Sequence, residues 1–238
     1  MRLIIFNTLI GVCAGTALLL VPRFWAAVRG EHPPLLLLGR SPVSPGGWAA
    51  AFGILGVILT SLGFVTTVWH PSAPAKDYID TIFGEPSLLL GVILLAAAWY
   101  LARRPEGEEL DEESMRPVLV PVGWIIFWLG VILVWCTLAI IRFNVVGAAP
   151  REEPITGLLH DWPMVENLSF ALLLYAPAAI GCLLFPFAAS GRSRAAWLIL
   201  YWSWSISGLG FALFSAMNFY THTGLLINLG NDGPDYRW

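Results

Sequence analysis

VLVPVGWIIFWLGVILVWCTLAII, running from Val118 to Ile141, holds no charged residue and exceeds the ~20 residues a helix needs to cross the hydrocarbon of a bilayer. An amphipathic helix on a soluble domain keeps one polar face, and this stretch has none. Five more apolar stretches lie around it: Leu3 to Val21, Trp48 to Trp69, Phe83 to Leu101, Val165 to Ala189 and Ala195 to Tyr220. The six take up most of the 238-residue chain and leave connections too short for a separate soluble domain. The expected fold is all-α: a polytopic membrane protein, one domain over residues 1–238, built as a bundle of six transmembrane helices.

Composition agrees with lipid as the main solvent. The chain is 57% hydrophobic and 12% charged, where soluble domains carry about a quarter charged residues. Its mean hydropathy is +0.72. The net charge of −3 and the lack of a basic run argue against a nucleic-acid partner. Cys13, Cys136 and Cys182 all fall inside expected spans, where they serve as small apolar fillers. Arg2 precedes the first apolar run as in a signal peptide, but the run is long and no A-x-A site follows, so a retained first helix is expected.

Positive residues are held in the cytoplasm during insertion, so their distribution orients the chain. Arg23, Arg29, Arg40, Arg103, Arg104, Arg116, Arg192 and Arg194 fall in connections one, three and five; Arg2, Lys76, Arg142, Arg151 and Arg237 fall on the other side. Eight against five predicts that both termini are extracytoplasmic. The acidic run containing Glu106, Glu108, Glu109, Asp111, Glu112 and Glu113 then reads as a solvated cytoplasmic loop.

The string Leu-Gly-Val-Ile-Leu occurs at Leu55 to Leu59, Leu90 to Leu94 and Leu129 to Leu133, and two outer loops lead into proline-marked sequences, Gly84-Glu85-Pro86 and Asp161-Trp162-Pro163. Proline suits the first turn of a helix, and a carboxylate there meets free N–H groups and the positive dipole end. The two hairpins are thus candidates for a duplication. Gly11 with Gly15, and Ser203 with Ser207, form small-xxx-small pairs suited to close helix approach. Pro177 and Pro186 predict a kink in the fifth span. Residues 33–39 and Leu225 to Leu229 are apolar but too short to cross, and suit the interface. Trp48, Trp69, Trp162 and Trp197 stand at span ends, where indole suits the headgroup zone. Trp124, Trp128 and Trp135 share one face of the fourth span, a possible stacking face for a cofactor or partner and equally an ordinary packing face.

His70, His160 and His222 fall on the outer side with Asp77, Asp80, Glu85, Asp161 and Glu166. Imidazole and carboxylate together suit copper, zinc or iron, and His70, His160, His222, Asp161 and Glu85 form the candidate metal set. None of them shows the spacing of a known metal motif. The bland reading is a polar rim, with His70 ending a helix and Asp161 and Glu85 capping others. Glu166 lies inside the fifth span and calls for compensation; Arg142 is its expected partner, in an ion pair fastening two helices. No ionisable residue is expected in mid-span, which disfavours an ion-driven pump.

The segment Tyr78-Ile-Asp-Thr-Ile-Phe-Gly-Glu-Pro-Ser-Leu-Leu-Leu-Gly91 resembles the signature stretch of a family of uncharacterised multi-span membrane proteins of actinobacteria and archaea. The resemblance implies a prokaryotic cell membrane, draws attention to Glu85 and brings no established activity. Three functions stay open. The first is a non-catalytic accessory subunit of a larger membrane complex, with the bilayer and other membrane subunits as partners. The others are a metal-dependent oxidoreductase or metal-binding protein with an outer-side site, and a carrier for a neutral or lipid-like solute.

Overall fold

The computed structural model describes residues 6–31, 44–105, 108, 110–147 and 149–230. The apolar segment 33–39, Arg2, Arg40, Glu106, Glu109, Arg237 and the side chains of Lys76 and Asp77 lie outside the described residues. Within them, six helices are long and apolar enough to cross a membrane. These are α1 (Phe6–Val28), α2 (Pro45–Trp69), α3 (Ala73–Ala102), α4 (Glu112–Phe143), α5 (Pro163–Ala189) and α6 (Arg194–Gly230). The fold is the all-helical, multi-pass bundle that the apolar stretches predict.

Local sequence sets the helix ends. Ser44 caps α2, its hydroxyl accepting from Gly47 N at 3.2 Å, with Pro45 in the first turn. Asp111 caps α4 by accepting from Ser114 N at 2.7 Å. That bond holds the Asp111 carboxyl below the usual carboxylate range. Helices α2 and α4 stop at His70 (φ 42) and Asn144 (φ 52), both left-handed, a conformation that ends a helix.

Three boundaries differ from expectation. Helix α1 continues to Val28, so Arg23 lies inside it, buried, with Nη1 donating to Leu19 O at 2.7 Å. Helix α3 begins at Ala73, with proline in its first turn, so Glu85 and Pro86 lie inside a helix and do not start one. Helix α6 runs on to Gly230, so Leu225 to Leu229 belong to the last helix and do not form a separate segment. At about 1.5 Å per residue, the 37 residues of α6 reach about 55 Å, well beyond a ~30 Å hydrocarbon layer.

Helices pack most closely in three antiparallel pairs, α2 with α3, α1 with α6, and α4 with α5, and α5 also lies along α6. Glycines make the close approaches. A Cβ on Gly63 would stand 2.6 Å from Leu88 N, one on Gly91 2.5 Å from Thr60 N, and one on Gly130 2.9 Å from Leu183 N. The glycines of all three Leu-Gly-Val-Ile-Leu strings, Gly56, Gly91 and Gly130, sit at such crossings. The recurring string therefore meets one recurring packing demand. Gly11 and Gly15 pack against Ser215 and Gly208 of α6, whereas Ser207 turns to α5 and donates to Leu174 O at 2.6 Å. The α1–α6 pairing places the start of α1 and the end of α6 at the same end of the bundle.

Candidate functional site

Helices α3 and α4 barely touch, and so do α1 and α3. The space left between them is a cavity of about 200 Å³, bordered also by α5 and α6 and partly open to the bundle surface. Its walls are almost wholly apolar. On α3 the lining runs from Phe83 to Leu101 and on α4 from Met115 to Leu133, about 27 Å along each helix axis. The cavity is thus nearly as long as the hydrocarbon layer is thick. Ala14, Leu90, Ala97 and Leu119 line it and are only partly buried although they belong to the bundle interior.

An apolar space of this kind stays dry. A flexible hydrocarbon chain would restore the missing contacts.

One wall is shaped by two prolines and a wide helical turn. Pro86 has no N–H to give to the carbonyl four residues back, that of Ile82. The Tyr175 hydroxyl, fully inside the bundle, donates to that carbonyl at 3.0 Å. Tyr175 ends a π-helical stretch, Phe170–Tyr175, within α5 just before Pro177. Such turns re-aim side chains and are frequent at functional sites. Here the turn brings Tyr175 to the cavity, where it packs edge-on to Phe83 and Phe211.

Glu85 lies beside this wall, between the lining residues Phe83 and Pro86. It is exposed, and no hydrogen bond or ion pair reaches it among the described residues. It shares an outward stripe with Thr81, Val92 and Ala96, and Ala96 borders the cavity. It stands two residues into the apolar run Phe83 to Leu101, inside helix α3 and not at its start. The helix begins earlier than its sequence suggests, so Glu85 lies inside a helix and does not cap one.

Of the remaining expected site residues, Glu166, His160, Asp161 and His222 gather at the end of the bundle where α4 ends and α5 begins. Ala149 N donates to Glu166 Oε2 at 3.2 Å, and His160 Nδ1 lies 2.8 Å from Ala149 O. Asp161 pairs with Arg151 at 2.6 Å and does not cap α5, whose flanking residue is Trp162. His222 Nε2 stands 3.4 Å from Glu153 Oε1, which also accepts from Thr221 at 2.8 Å, all three residues being buried. His70 is apart from these, in the turn between α2 and α3. Among the described residues, no group of three or more His, Cys, Asp or Glu is placed to hold a metal ion. Nor is Glu166 brought to Arg142, which is exposed with its guanidinium over the Phe143 ring. Trp124, Trp128 and Trp135 face outward from the bundle at 52%, 63% and 68% exposure. At the opposite end, Glu112 takes Arg29 at 3.6 Å and Arg116 at 3.0 Å, joining α1 to α4 below the cavity.

The family described as "Protein of unknown function (DUF981)" matches residues 4–224. The chain belongs to this family. The match takes in α1 to α5 and most of α6, so the cavity and the connection between α4 and α5 both lie within the DUF981 region. No curated protein and no solved structure matches. Several residues that organise this DUF981 chain escaped the sequence reading. Asn167, fully buried, donates to Ile140 O at 2.6 Å and accepts from Val146 N at 3.2 Å; its place beside Glu166 in an apolar run was the available signal. Tyr175 could have been suspected from its position before Pro177, whereas Glu153 resembles any loop carboxylate until α6 is seen to extend over it.

Proposed function

We propose that this protein is a membrane-embedded binding protein for a lipid-like, largely apolar ligand, which it takes from the bilayer through the gap between α3 and α4. The observation that carries this reading is the long apolar cavity at that gap. Ligand sites are typically concave and mostly apolar with a few placed polar groups, and this site has Tyr175, Ser87 and the neighbouring Glu85. The setting proposed is a prokaryotic cell membrane with both termini on the outer side. Support comes from the arginine bias and from the extended end of α6 lying with the outer connection.

Native mass spectrometry after mild detergent extraction tests the reading. Ala97→Phe places a ring in the cavity. The wild type should retain an amphiphile of lipid-like mass and the variant should lose it; a bare wild type, or equal retention by both, contradicts the proposal.

A second reading, an accessory subunit of a larger membrane complex, is favoured by one observation. The Trp124, Trp128 and Trp135 face forms a broad aromatic surface of the sort that membrane partners pack against. Sizing in the same detergent decides it: a lone monomer counts against a stable complex.

A further inference from the structure

The exposed carboxylate of Glu85, without a hydrogen bond or ion pair among the described residues, is the feature that a purely apolar ligand leaves unexplained. If the hydrocarbon layer is centred on the apolar stretch Phe83 to Leu101, Glu85 lies about 10 Å from the midplane, within a ~30 Å layer. Ionisable groups at such depth are costly, and they are commonly paired or functional. Nothing in the bundle compensates this one: it has no hydrogen bond or ion pair among the described residues, and its helix supplies no free N–H groups because α3 begins at Ala73. Yet it is not simply a lipid-facing residue, since Ala96, three turns along on the same stripe, borders the cavity, as do the neighbouring Pro86 and Ser87.

We infer that Glu85 receives the head group of the bound ligand, and that the ligand is a long-chain amphiphile whose head is an ammonium or a hydroxyl. The inference rests on the cavity reading above and adds the polar end to it. The chain occupies the space from Phe83 toward Leu101, and the head stays at the opening where Glu85 accepts its hydrogen bond. A carboxylate or phosphate head would meet like charge in a medium of low dielectric and be rejected. Hydrogen bonds to charged groups are stronger than neutral ones, enough for about tenfold discrimination between heads of equal chain length.

The experiment uses the full chain in phosphatidylcholine nanodiscs, with hexadecane, hexadecylamine, hexadecanol and hexadecanoic acid as probes and bound mass read by native mass spectrometry. Wild type should hold the amine and the alcohol about tenfold more strongly than the acid. Glu85→Gln should remove that ranking, while Glu85→Asp, which keeps the carboxylate, should preserve the order. Equal binding of the three polar probes by wild type, or an unchanged ranking in Glu85→Gln, overturns the role of Glu85. Ala97→Phe separates the two levels. If it abolishes binding of every probe while the heads are not distinguished, the cavity reading survives and only the head-group inference falls; if hexadecane never binds and Ala97→Phe changes nothing, the cavity reading itself has failed.

Discussion

Substituting Gly63 by alanine probes how closely α2 and α3 approach. The new Cβ would lie 2.6 Å from Leu88 N, 2.8 Å from Leu88 Cα and 3.1 Å from Gly84 O. Carbon contacts are comfortable at about 3.5–4.0 Å, so the two backbones must part by roughly 1 Å. Overpacking of this kind costs about 1–3 kcal/mol. Alanine also favours a helix over glycine by about 1 kcal/mol, which acts in the opposite direction. Gly53→Ala separates the two effects, because its Cβ would meet only Ala98 Cβ at an ordinary 3.6 Å. The helix-forming gain is common to both variants and cancels in their difference. Unfolding in mixed dodecyl sulfate and maltoside micelles, followed by circular dichroism, should therefore place Gly63→Ala below Gly53→Ala by about 1–3 kcal/mol. Equal stability of the two would refute the close crossing and with it the account of the recurring glycine strings.

Tyr175→Phe keeps the ring contacts with Phe83 and Phe211 but leaves the Ile82 carbonyl without its donor, so the same assay should show a loss of about 1–3 kcal/mol. A neutral result would mean that another group satisfies that carbonyl. The Asp111 cap should fail only in acid. Because its folded carboxyl titrates below the ordinary aspartate value, its contribution is complete above that value and is lost as pH falls through the lowered one. Hydrogen exchange at the Ser114 amide should accelerate at that point in the wild type and not in Asp111→Asn, since asparagine caps without titrating.

The spans were legible because hydrocarbon leaves little choice: each crossing requires a long apolar run, and the chain has six. The start of α3 was hidden because Lys76, Asp77 and Asp80 read as loop and Pro86 as a first-turn proline. In the fold, Asp80 turns back to accept from Ser72 N at 2.6 Å, and Tyr175 satisfies the carbonyl that Pro86 leaves free. The extension of α6 was hidden for a related reason. Thr221 and His222 look solvated in sequence, but they are buried and meet Glu153 of the connection between α4 and α5. The histidines and carboxylates near span ends suggested a metal set because sequence groups them at one end of the spans without giving their directions. The cavity left no trace at all, since an alanine or leucine facing a void is indistinguishable in sequence from one facing a neighbouring helix.

A cryo-electron microscopy map of the protein in lipid nanodiscs tests the central claim most directly. The account predicts tubular density inside the bundle, reaching from the level of Met115 to that of Leu133 and ending beside Glu85. A map in which α3 and α4 close on each other and leave no such density would contradict it.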